Sequence, residues 1–302
     1  MSHAYTAWDD SVATALAAHT TAVERLAARH WTFTPRSAGA PRGSARVVDE
    51  WLVVDVLLPV HLERRLDGCW HALAANAALA GGLKLCPVAA GDRRLHLRAD
   101  VPLLEDVPLT QRIRQLCAGL DAAIAWLPTA HHSAAPAPLP DLGAYEEDFD
   151  LQERCRQTQW PCIDRGVQAV MVQLDVRGAF QQAVVAPQPG RGVVASVPLL
   201  AAPLPAAPHE PAIVRLLLAT AGAVRMVRAA TTGSPASVGL EVVFAHAPTA
   251  EELAHAFAAL SVAWGCAGRE TEILARDARI AQLYASDGVE RRGDETVNHS
   301  TS

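Results

Sequence analysis

The chain has 302 residues, half of them apolar and 19% charged, which supplies enough apolar material for packed cores and argues against a disordered body. The net charge is −6, Lys84 is the only lysine and no arginine-dense stripe occurs, so the clustered cations that neutralise a nucleic-acid backbone are missing. No apolar run reaches the roughly 20 residues that span a bilayer, and MSHAYTAWDD lacks the basic start and apolar run of a secretory signal, so a cytoplasmic protein that binds neither membrane nor nucleic acid is expected.

In chain order, Asp9 to Arg29 predicts a helix, with Leu16, Val23 and Leu26 at near-helical spacing among alanines and an aspartate to cap its start. WTFTP alternates like a short strand, Arg36 to Ser44 reads as a loop, and Val47 to Pro59 is β-branched enough for a buried strand. A helix from Cys69 to Ala80 follows, ended by Gly81-Gly82. Two strands then turn at Ala90-Gly91-Asp92. In the second of them Leu95 and Leu97 alternate with Arg94, His96 and Arg98, a period of two that implies one wet face. Leu109, Ile113, Leu116, Leu120, Ile124 and Leu127 trace a helical stripe that faces this sheet.

Pro128 to Gly143 is rich in proline and alanine and cannot hold a regular helix. The chain therefore divides into a first unit over 1–127, a linker over 128–143, a second unit over 144–286 and a polar, disordered tail over 287–302. The second unit opens with a short helix ahead of Trp160-Pro161, then the strands VQAVMVQLDV, AFQQAVVAP and RGVVASVPLLA, with Gln188-Pro189-Gly190 turning the last two. A helix begins near Glu210-Pro211, two more strands follow, and Thr249 with Glu252 three residues later forms a capping box for a long helix. A further helix from Arg269 to Ala285 carries Ile273, Leu274, Ile280 and Leu283 as its apolar stripe.

The order helix, two strands, helix thus occurs twice, at Leu73 to Trp126 and at Pro211 to Trp264, with few matching residues. The expected fold is α+β: two tandem domains, each an antiparallel sheet with flanking helices in the order helix, three strands, helix, two strands, helix. This order resembles the type III secretion chaperone-like fold of the Tir-chaperone class, which the YbjN-like proteins share. LAANAALAGGL looks like its middle helix, GDRRLHLRADVPL like its next strand, and a helix ending AIAWL closes the unit. Chaperones of that class are usually dimers of one domain that wrap an extended client segment. The resemblance therefore implies a protein client or partner subunit, and an intramolecular pseudo-dimer, with a homodimer as the further option.

Candidate chemistry is sparse. His131-His132 sits in the proline-alanine linker, where zinc ligands would lack rigid support. Cys162 has only Arg165 nearby to lower its pKa, and the six cysteines contain no C-x-x-C pair, so reduced structural thiols are expected. Ser261, with His255 and Glu252 upstream, lacks a G-x-S-x-G setting, and no glycine cluster matches a phosphate loop. Arg225, Arg228 and Glu241 are placed to pair across strands. No catalytic, metal or cofactor residue is assigned. The expected function is non-enzymatic capture of a partner segment through apolar edge or helix positions: Val193, Val197, Leu240, Val242, Phe257 and Trp264. The alternative is a small-molecule-binding regulator or a hydrolase with a site between the domains.

Overall fold

In the computed structural model, which describes residues 2–59, 70–88, 94–104, 109–129, 149–164, 169–176, 178–201, 205–232 and 237–295, the first helix (α1, Ser2–His19) stops well before Arg29. Thr20 and Thr21 end it, and the segment that continues the helical spacing is an edge strand, β1 (Ala22–Ala27), on which Leu26 is 53% exposed. Pairing with β2 (His30–Thr34) overrides the local period, because a strand carrying Trp31 and Phe33 into the core needs a partner on each side.

The expected strand over 47–59 is a hairpin of β3 (Gly43–Val48) and β4 (Trp51–Leu57). Asp49 and Glu50 make the two-residue turn, both with positive φ, as a type I′ hairpin turn requires. The middle helix α2 (Trp70–Ala78), strands β5 (Lys84–Pro87) and β6 (Leu95–Pro102), and helix α3 (Leu109–Trp126) complete the first unit. Leu109, Ile113, Leu116, Leu120 and Leu127 are buried as the stripe predicts, and α1 packs against α3.

The second unit repeats the plan. It runs α4 (Leu151–Gln157), β7 (Cys162–Asp164), β8 (Val170–Val176), β9 (Ala179–Gln188), β10 (Gly192–Ala201), α5 (His209–Ala223), β11 (Arg228–Thr232), β12 (Ser237–Phe244), α6 (Ala250–Arg276) and α7 (Ala278–Glu295). The β9–β10 turn falls where expected, and Gly192, the first residue of β10, has no alternative. A Cβ there would lie 2.0 Å from the Phe244 carbonyl oxygen, and its φ is +95°. The two C-terminal helices divide at Asp277, whose Oδ1 accepts from the Arg279 and Ile280 amides. Of the stripe expected over 269–285, Leu274 is buried while Ile273, Ile280 and Leu283 are exposed. Helical backbone continues to Glu295, into the segment expected as a tail.

Both sheets are antiparallel and six-stranded, with the same order: β1-β2-β3-β4-β6-β5 and β7-β8-β9-β10-β12-β11. Each has four strands ahead of its middle helix where the expected order has three; the second unit gains β7, the first gains β1 and, by the splitting of the 47–59 segment, β3, and in each sheet β1 or β7 is the outer edge. The opposite edges, β5 and β11, meet at the junction, where α2 lies on β11 and α5 on β5. This exchange is reciprocal, as across an isologous dimer interface. The buried side chains form one continuous cluster through both units. No described helix is long and apolar enough to cross a membrane.

Candidate functional site

The junction is built on two buried cations in matching places. Lys84 is the first residue of β5 and Arg228 the first of β11, and both are buried. Lys84 Nζ lies 2.7 Å from Asp100 Oδ2 and donates to the Val224 carbonyl (2.8 Å) at the end of α5 in the other unit. Arg228 Nε donates to Glu241 Oε1 (2.8 Å), while its guanidinium reaches back to the carbonyls of Leu79 (2.9 Å), Gly81 (3.2 Å) and Leu83 (3.0 Å) beyond α2. Each unit thus sends a cation to the C-terminal end of the other's middle helix, where orphan carbonyls and the helix dipole are both negative.

The halves differ in register: Arg228 sits directly opposite Glu241, whereas Lys84 sits opposite Arg98 and reaches Asp100 diagonally. Asn76 adds a further link, accepting from the Leu85 amide (2.6 Å) and donating to the Ala229 carbonyl across the junction (2.9 Å). Asp100 is held ionised. Burial pushes its carboxyl up, but Lys84, Arg98 and the Met226 amide outweigh burial and bring its pKa below the ordinary range.

Beside this link, the face of the first sheet turned away from α1 and α3 carries Asp55, His96 and Cys86 on adjacent strands. His96 Nδ1 is 3.3 Å from Asp55 Oδ1, and Cys86 is the cross-strand partner of His96. The residue types match a nucleophile, base and orienter, but the chemistry does not. Cys86 is fully buried against Gly222 of α5, and burial drives its thiol pKa up to about 12, so it carries no thiolate at neutral pH.

At the other end of the junction the first turns of α3 and α6 face each other. Arg112 donates to Glu252 Oε2 (3.2 Å), and His246 Nε2 lies 3.1 Å from Glu252 Oε1. Glu252 is also the capping-box residue that the sequence marks: its Oε2 accepts from the Thr249 amide (2.9 Å) while Thr249 Oγ1 accepts from the Glu252 amide. The same carboxylate therefore caps a helix and ties the units together. Burial pushes its pKa up, but His246, Arg112 and the Thr249 amide bring it below the usual value. A partly open cavity of about 80 Å³ lies between these turns and the ends of β6 and β12. Outside it, Arg225 pairs with Asp49 (3.3 Å) and stands over the Trp51 ring, which meets His255 edge-on.

The residues expected to contact a partner lie elsewhere. Val193, Val197, Leu240, Val242 and Phe257 are buried, and Trp264 is half-buried against the core. Strands β10 and β12 are interior to the sheet, so their backbone edges are already paired on both sides, and α6 covers their apolar face. This corrects the edge assignment of those residues. Val242 alone lines the cavity. The pairing expected of Arg228 with Glu241 is present, and Arg191 also reaches Glu241. Ser261 donates to the Asp175 carbonyl (2.8 Å), and Cys162 donates to the Trp160 carbonyl (3.1 Å). His131-His132 falls outside the described residues, and among those described no group of three or more His, Cys, Asp or Glu side chains is arranged to hold a metal ion.

The chain matches no family model, no curated protein and no solved structure in comparisons with each.

The buried histidines give the junction a pH dependence. Burial lowers the pKa of His246 against the opposing pull of Glu252, and burial with Arg98 lowers that of His96 against Asp55. Both imidazoles are neutral when folded, and the unfolded chain takes up their protons more readily. Stability should therefore be full above about pH 6.5 and fall as pH drops toward the folded pKa values. The depressed carboxylates, Asp100 and Glu252, keep their full contribution to stability above about pH 5 and lose it only below that, as they protonate. The thermal midpoint is expected to be lower at pH 5.5 than at pH 7.5, with the difference reduced in His96→Gln/His246→Gln. An equal difference in that variant would remove the histidines from the explanation.

Proposed function

We propose that this chain is a cytoplasmic, non-enzymatic binding module of two type III secretion chaperone-like units, which captures an extended segment of a partner protein along β1. The observation that carries this reading is the fate of the four sheet edges. Strands β5 and β11 lie in the junction, covered by α5 and α2 of the opposite units, and β7 has only three residues. Strand β1 has six, pairs with β2 on one side, and is exposed along most of its length. An edge of that length can accept an added strand through backbone hydrogen bonds, and exposed Leu26 supplies an apolar contact. Removing β1 and β7 leaves the order three strands, helix, two strands in each half, which is the order of the chaperone-like class. The reciprocal junction accords with a dimer of such units fused into one chain.

Catalysis draws no support from the Cys86-His96-Asp55 grouping, because its thiol is sealed and protonated. Isolation of the protein at native expression, with hydrogen exchange on the complex, tests the proposal. One near-stoichiometric protein partner is expected, with slowed exchange at β1 amides, and Leu26→Lys should reduce capture about tenfold while the fold is kept. Full capture by folded Leu26→Lys, with β1 amides exchanging as in the free protein, would refute the assignment.

A further inference from the structure

The cavity between the first turns of α3 and α6 has walls from both units. Leu83 and Leu116 come from the first, and Met226, Val242 and Phe244 from the second. Its volume of about 80 Å³ is roughly half that of a 150 Å³ cavity known to admit benzene. It therefore suits a branched group of a few carbon atoms rather than an aromatic ring. Each charge on its border already has a counter-charge. Arg112 is paired with Glu252 (3.2 Å), and Asp100 with Lys84 (2.7 Å) and Arg98 (3.0 Å). A charged ligand would arrive without a free partner and lose its hydration, which is costly in so apolar a space.

We propose that this cavity binds a small, uncharged molecule with a short branched aliphatic group, the alkyl part lying between the two units and one polar head beside Arg112 and His246. Pockets at domain junctions with mostly apolar walls and few polar groups are the usual setting for such ligands. Because both units supply walls, occupancy favours the joined state and raises the stability of the whole chain by mass action. The site is far along the sheet from β1, so it is independent of the partner-binding reading and stands or falls separately.

Isobutyramide is the probe, since its isopropyl group matches the cavity and its amide is neutral. Isobutyrate has the same shape with a charge, and cyclohexanecarboxamide the same head with a larger body. Titration is followed by NMR of the Leu116, Met226 and Val242 methyl groups. Isobutyramide is expected to give saturable shifts in the millimolar range, with both comparison compounds weaker by about tenfold or more. Leu116→Phe, which fills the cavity, should abolish the shifts. Val242→Leu adds one methylene and should weaken binding even if the larger replacement does not fold. Non-saturating shifts, equal binding of isobutyrate, or unchanged binding in Val242→Leu would overturn the proposal.

Discussion

Arg228→Met should destabilise the protein by about 3–5 kcal/mol, the largest effect of any single substitution at the junction. The guanidinium is 1% exposed and holds Glu241 together with three carbonyls from the other unit. Its loss leaves a fully buried carboxylate with Arg191 as its remaining cation, and deprives the end of α2 of donors that water cannot replace. Arg228→Met/Glu241→Leu separates the two costs. Removing the carboxylate with the cation should recover part of the loss, because a buried pair is worth little against apolar side chains of similar volume. The unrecovered part reports the carbonyls. Denaturant unfolding gives both values, and a single-variant cost under about 1 kcal/mol would show that the arginine is not a structural link.

Dividing the chain should do more than any substitution. A fragment of residues 1–129 keeps its own sheet, but it exposes the surfaces of α2 and β5 that α5 and β11 cover. Lys84 loses the Val224 carbonyl, Asp100 loses the Met226 amide and Asn76 loses the Ala229 carbonyl. A domain is stable by only about 5–15 kcal/mol, and several such losses together with exposed apolar surface are of that size. The expected result is a fragment without a cooperative thermal transition, and recovery of one when it is refolded with residues 149–302. A sharp transition near the full-length midpoint for 1–129 alone would show two independent domains and contradict the shared core.

Much of the fold was legible because doubled patterns are local. The stripe from Leu109 to Leu127, the turn at Gln188 to Gly190 and the capping box at Thr249 are set by residues a few positions apart. Strands β1 and β3 were not. Val23 and Leu26 fit a helical spacing, and only pairing with β2 shows that they belong to a strand. Val47 to Pro59 reads as continuous because Asp49-Glu50 is a less common pair for a tight turn than Asn-Gly. The partner residues were misplaced for a related reason. An apolar strand looks the same whether it lies at an edge or inside a sheet, and Val197 and Leu240 lie inside.

The junction left fainter marks. A single lysine in 302 residues, and one asparagine in an alanine-rich helix, are oddities that each have a partner in the other unit, 140 and 153 residues away. Two α+β units with matching element order are written locally in the chain, because period, caps and turns act over a few residues. The fates of the sheet edges come from the tertiary structure alone: β5 and β11 are covered by helices of the opposite units, β1 is left as an exposed edge, and Glu252 binds across as well as capping. Those outcomes depend on contacts between distant segments, where the free energy of burying a charge is settled by what the other unit brings to it.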